Sequence, residues 1–103
     1  MILFIDTTDF NNVTYILSGP KPIKKSYKID SHKSHETLGK LEAFLKTAKI
    51  KSSAIKKIVI NKGPGSFTGV RVGIAHGLAM SLAWNIPIKA LPKNKFEQEI
   101  KRP

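Results

Sequence analysis

Apolar positions follow two rhythms along this 103-residue chain, and the switches between them mark its elements. The opening MILFID (residues 1–6) is a short unbroken apolar run, the pattern of a strand covered on both faces. DFNN reads as a turn. VTYILS (residues 13–18) then alternates, sending Val13, Tyr15 and Leu17 to one side, before Gly19-Pro20 turns the chain again. PIKKSYKI (residues 22–29) places Lys24, Ser26 and Lys28 on one face and Ile23, Tyr27 and Ile29 on the other, and lysines so placed guard an exposed sheet edge.

From Ser34, a suitable N-cap, the spacing lengthens to that of a helix reaching about Lys49. Leu38, Leu41, Leu45 and Ala48 form its apolar stripe, widened by Phe44, and Glu36–Lys40 and Glu42–Lys46 are favourable pairs on the wet side. KKIVIN (residues 56–61) is a second buried strand and runs into a glycine loop. Another helix is expected from about Phe67 to Trp84, and IPIKAL (residues 86–91) is a last strand with Pro87 near its start. The order βββαβαβ predicts an α/β domain over residues 1–92, a mixed five-stranded sheet with two main helices packed on it, followed by a polar, frayed tail over residues 93–103.

The glycine loop between strand and helix is a place where a phosphate could sit, because free helix N–H groups attract anions. The established fingerprints are absent. A Walker loop ends Gly-Lys-Ser/Thr, whereas Gly69 is followed by Val70; the dinucleotide pattern wants glycine or alanine where Thr68 stands, and an acid about 20 residues on, where the next is Glu97. Pro64 and Thr68 stand two residues either side of Ser66, where a nucleophile elbow needs glycines, so it is not one. The plainer reading gives Gly63 and Gly65 unusual backbone angles, with Ser66 or Thr68 capping the helix. Asp6, at the end of a buried strand, is the strongest lone acid, suited to magnesium, to a water or to bonding its own loop. His32 and His35 lack the partner spacing of a zinc helix, so no metal site is assigned.

The second helix is unusual. Gly69, Gly73 and Gly77 recur every four residues and Ser81 continues the row, although each glycine inside a helix costs about 1 kcal/mol against alanine. Such a row makes sense where another backbone comes close. The helix is apolar nearly all round, through Phe67, Val70, Ile74, Leu78 and Leu82. The chain offers too little to cover it, so a protein partner is expected to approach along the glycine row.

Composition adds three constraints. No cysteine is present, which removes disulfides and thiolate metal sites and fits a reducing cytoplasm. MILFIDTTDF has no basic stretch and meets Asp6 too early for a signal peptide, and the uncharged residues 72–88, broken by Gly73, Gly77, Asn85 and Pro87, fall short of a membrane span. The net charge is +11, and twelve lysines lie between Lys21 and Lys62 against Asp30, Glu36 and Glu42. That balance suits a nucleic-acid partner such as tRNA, or a merely solvated surface, since no aromatic-interleaved RNA-reading signature accompanies it.

ILFIDTT, SHETLGKLEAFL and above all GPGSFTGVRVG resemble the TsaB (YeaZ) family of bacterial M22 glycoprotease-like proteins, over about residues 1–91. The resemblance implies an ASKHA-type, ribonuclease-H-like fold whose first three strands are antiparallel and whose next two run parallel to the first. It also implies work with TsaD and TsaE in making threonylcarbamoyladenosine on tRNAs that read ANN codons, TsaD being the catalyst, with ATP and magnesium belonging to the partner enzymes. TsaB itself serves there as a non-catalytic scaffold, pairing with TsaD or a second copy through its two N-terminal helices. Here these carry Leu38, Leu41 and Leu45, and Gly69, Gly73, Gly77, Leu78 and Ser81. Asp6, Thr7, Gly63, Gly65 and Ser66 would be a vestigial nucleotide site. TsaB has a second, similar lobe, and only the first is expected here. A phosphotransferase or M22-like peptidase built on Asp6 and a basic RNA-binding module are the competing readings.

Overall fold

The computed structural model describes residues 1–9, 11–29 and 36–101. Five strands, β1 (Ile2–Asp6), β2 (Asn12–Leu17), β3 (Ile23–Lys28), β4 (Lys57–Asn61) and β5 (Ile88–Leu91), form one sheet in the order β3-β2-β1-β4-β5. The β1–β2 and β2–β3 pairs are antiparallel, and β4 and β5 run parallel to β1. The expected topology is therefore the observed one. β1 and β4 take the centre because their apolar runs can be buried on both faces: Leu3, Phe4, Ile5, Ile58, Val59 and Ile60 are all essentially inaccessible. β3, with three exposed lysines, lies at the edge.

Helices α1 (Thr37–Ala48) and α2 (Phe67–Trp84) cover one face. There Leu41, Phe44, Leu45 and Met80 close over Leu3, Ile5, Val13, Tyr15, Leu17, Ile58 and Ile60. Leu41 and Leu45 thus belong to this core and not to a surface offered to a partner. Ser34, the expected cap of α1, and the histidines His32 and His35 lie outside the described residues. α2 spans the predicted residues, with Ser66 as its N-cap accepting from the Gly69 amide at 3.1 Å.

The other face corrects the expectation of a frayed tail. Residues Lys93–Lys101 form a third helix, α3. Its Phe96 is 2% exposed and meets Phe4 edge-to-face with ring centroids 5.6 Å apart, beside Ile16 and Val59. The segment looked polar because only Phe96 and Ile100 face inward, and Lys89 and Glu99 add an ion pair at 3.6 Å. Phe96→Ala should lower the free energy of unfolding by about 3 kcal/mol in a urea titration. An unchanged midpoint would mean that α3 does not dock.

Candidate functional site

At the carboxyl ends of β1 and β4 the structure brings together the residues expected of a vestigial nucleotide site. Asp6 Oδ1 accepts from the Thr8 amide at 2.9 Å and the Thr8 hydroxyl at 2.6 Å, and Oδ2 accepts from Asn61 Nδ2 at 3.3 Å. Asn61 Oδ1 in turn accepts from the Gly63 amide at 2.9 Å. Gly63 has φ 98°, a conformation suited to glycine, and begins a cis peptide with Pro64. The Ser66 amide donates to the Thr8 carbonyl at 2.8 Å, and a side chain at Gly65 would run into Thr8. Thr7, fully buried, donates its hydroxyl to the Gly69 carbonyl at 2.5 Å. Asp6, Thr7, Gly63, Gly65 and Ser66 are therefore neighbours, but their polar groups are largely paired with one another. Asn61 completes this network; its position at the end of a buried strand, level with Asp6, was the available signal. Among the described residues, no group of three His, Cys, Asp or Glu side chains is gathered as a metal site.

The glycine row faces the opposite way from the expectation. A methyl at Gly69 would strike the Thr7 carbonyl, one at Gly73 the Thr7 hydroxyl, and one at Gly77 the Ile60 and Ile88 side chains. All three glycines are buried. What comes close is the chain itself, Thr7 just past the end of β1 and the Ile60 and Ile88 side chains of β4 and β5, so the row is turned to the sheet and not open to a partner. Ser81, half-buried, donates to the Ile86 carbonyl. Residues two further along a helix lie roughly 200° round it. Turning the glycines inward consequently turns Phe67, Ala75, Ala79 and Leu82 outward.

That outward face is the second candidate site. Phe67 is 74% exposed, Leu82 82%, Leu78 47% and, across on α1, Leu38 45%. Between the helices runs a groove of about 550 Å³ lined by Leu38, Phe67, Arg71, Ala75, His76 and Met80 among others. The Arg71 guanidinium sits 5.0 Å from the centre of the Phe67 ring. Of the residues expected to meet a partner, Leu38 and Leu78 lie on this surface. Phe67, Arg71 and Leu82 complete it, and the glycine spacing, assigned to the sheet, points to them.

Beneath the groove lies a buried hydrogen-bond chain. Tyr15 Oη bonds the Thr37 carbonyl at 3.0 Å and His76 Nε2 at 2.9 Å. A carbonyl only accepts, so the tyrosine proton goes to Thr37 and His76 donates from Nε2. Burial pushes the imidazole down to about 4, so the ring is neutral at pH 7, and it pushes the Tyr15 hydroxyl up. One tyrosine on β2 thereby ties α1 to α2. No sequence pattern pointed to His76, which stands alone within an apolar run.

A mixed sheet of this order, with two helices on one face, one on the other and an acid closing β1, defines a ribonuclease-H-like α/β fold of the ASKHA type. T. thermophilus RuvC, in a complex with a Holliday junction substrate, shares it at a TM-score of 0.60 and 12% identity, over 94% of this chain and 67% of its own. The model of the family described as "TsaD: tRNA N6-adenosine threonylcarbamoyltransferase" matches residues 28–93, and the chain belongs to that family. Within it the likeness is to the TsaB (YeaZ) proteins. The tRNA threonylcarbamoyladenosine biosynthesis protein TsaB of Bacillus subtilis (strain 168) is 35% identical over 94 residues, 87% of this chain and 40% of the relative. YeaZ from Pseudomonas aeruginosa superposes with a TM-score of 0.75 at 26% identity, over 88% of this chain and 44% of its own. The chain thus spans less than half the length of these two proteins. No helix among the described residues is long and apolar enough to cross a membrane.

Two measurements probe this arrangement. Gly73→Ala should destabilise the folded chain by about 1–3 kcal/mol, because the methyl meets Thr7. Gly39→Ala on α1, where a methyl meets nothing within 4 Å, should stabilise it by about 0.5–1 kcal/mol. A row turned to a partner would instead let both substitutions raise the stability of the isolated chain.

The second measurement is of pH dependence. The His76 pKa is lower folded than unfolded, so between pH 6.5 and about 4 the unfolded chain takes up a proton that the folded chain refuses. Its contribution is complete above pH 6.5 and is lost on acidification, on the order of 3 kcal/mol at the lower end. Urea midpoints at pH 7 and 4.5 should diverge more for wild type than for His76→Gln, which keeps a donor and does not titrate. Equal slopes would contradict a buried neutral imidazole.

Proposed function

We propose that this chain acts as a non-catalytic, TsaB-like subunit in the formation of threonylcarbamoyladenosine on tRNA. In this reading it docks a TsaD-like enzyme, or a second copy of itself, through the α1–α2 groove and the exposed outer face of α2 beside it. The observation that carries the reading is the exposed apolar surface of Leu38, Phe67, Leu78 and Leu82, arranged along two helices that a buried tyrosine holds together. Exposed aromatic and aliphatic side chains beside an arginine make the usual anchors of a protein interface. Family membership supplies the tRNA modification.

A scaffold role is supported by the strand-end loop, where both Asp6 carboxylate oxygens are engaged by Thr8 and Asn61. ATP and magnesium are then handled by the partner enzymes, TsaE among them, and the chain works where those proteins and tRNA meet, in the cytoplasm.

Phe67→Ser combined with Leu82→Lys should leave the circular dichroism spectrum unchanged, since both side chains stand in solvent. The same pair should weaken association with a TsaD-like protein, or self-association seen by light scattering, by at least about 30-fold, the effect of losing one interface anchor. Wild-type association in the double variant would place the interface elsewhere.

A further inference from the structure

A third surface is separate from both the strand-end loop and the groove. On the α3 side of the sheet, register sets Lys28 beside Asn12, Ser26 beside Thr14 and Lys24 beside Ile16. α3 packs chiefly on β4 and β5, leaving the outer part toward β3 uncovered, and Lys24, Ser26 and Lys28 are all exposed. Between the two lysines the Thr14 and Ser26 hydroxyls share a hydrogen bond of 2.7 Å, a flat polar floor. Residues 21–28 hold Lys21, Lys24, Lys25 and Lys28 and no acid. Among the described residues no carboxylate pairs with Lys21, Lys24 or Lys28. Among the described residues, the two acids toward that end of the sheet are hydrogen-bonded elsewhere, Asp9 with Asn11 and Asn12, and Asp6 with Thr8 and Asn61.

We propose that this β2–β3 face binds the phosphate backbone of RNA, with Lys24 and Lys28 as its principal contacts. The identity of the RNA as tRNA rests on the function proposed above; the chemistry of the face does not. Side chains on one face of a strand repeat about every 6.8 Å, so these two lysines stand roughly 13 Å apart, a span that a few nucleotides cover. Lysine is a compact charge that contacts phosphates and carries no base-reading fork, so binding is independent of sequence. Between Lys24 and Lys28 the side chains that this face exposes are lysines and hydroxyls; the apolar Ile2, Phe4, Pro20, Pro22 and Ile100 gather to one side of them. Lys24 and Lys28 lie on the opposite side of the sheet from α1 and α2, so RNA and a docked protein fit at the same time. Thr14 pairs with Asp6 on β1 and with Ser26 on β3, which sets the lysine row roughly 10 Å from the strand-end loop.

Binding of labelled unmodified tRNA to the whole chain, followed by fluorescence anisotropy over a series of salt concentrations, tests this. Lys24→Gln/Lys28→Gln should weaken binding about tenfold near 0.1 M salt and reduce the slope of log K against log salt by roughly 2. Lys46→Gln/Lys51→Gln, which removes the same charge elsewhere, should change affinity less than about twofold. Equal losses in the two variants, or no binding by wild type, would overturn the proposal. So would displacement by polyglutamate or phosphatidylserine vesicles as effective as displacement by unlabelled tRNA. Protein docking measured on Lys24→Gln/Lys28→Gln separates the two readings: loss of RNA alone supports this surface, and failure of the docking variants leaves the RNA result standing.

Discussion

Thr7 donates its hydroxyl to the Gly69 carbonyl in a spot without solvent access, and α2 comes that close to β1 because positions 69 and 73 carry no side chain. Much follows from that approach. The first turn of α2 is held against the end of β1, where the Ser66 amide reaches Thr8 and the Asp6–Asn61–Gly63 network closes. The same approach fixes the rotation of α2 about its axis. With glycines toward the sheet, Phe67, Leu78 and Leu82 are left exposed on the other side. The intrinsic helix stability given up at three glycines is offset by buried contacts with Thr7, Ile60 and Ile88.

The strands were legible because their patterns admit few alternatives. An uninterrupted apolar run such as ILFI or IVI requires cover on both faces, and alternation in VTYIL requires one covered face, whereas the antiparallel and parallel strand directions were expected from the family resemblance. The glycine row was legible as a close approach, but a spacing of four does not say to what. Composition favoured an outside partner because α2 is apolar all round; the sheet turned out to take the glycine side and leave the leucine side bare. α3 escaped notice because two inward apolar residues in nine make a weak period, and their significance depends on Phe4, some ninety residues earlier in the sequence. The Tyr15–His76–Thr37 chain joins residues from three elements and has no local signature.

The three surfaces divide the molecule by chemistry. The groove side is apolar with a single arginine, the strand end is polar and internally paired, and the β3 side is lysine and hydroxyl. Among the described residues, Arg71 is the one charged side chain that lines the groove. Lys25 lies with its ammonium 5.4 Å from the Tyr27 ring, which uses the lysine stem to shield the edge of the core.

The hydrogen bonds at Tyr15 have a mechanical meaning. Because one hydroxyl grips the first turn of α1 and the middle of α2, the walls of the groove between them are held at a set width before anything arrives. For the docking proposed above, walls tied together in this way would cost little ordering entropy on this side of the contact. A partner proposed for this groove would be selected by shape, since widening the gap would pull a buried tyrosine from both of its partners.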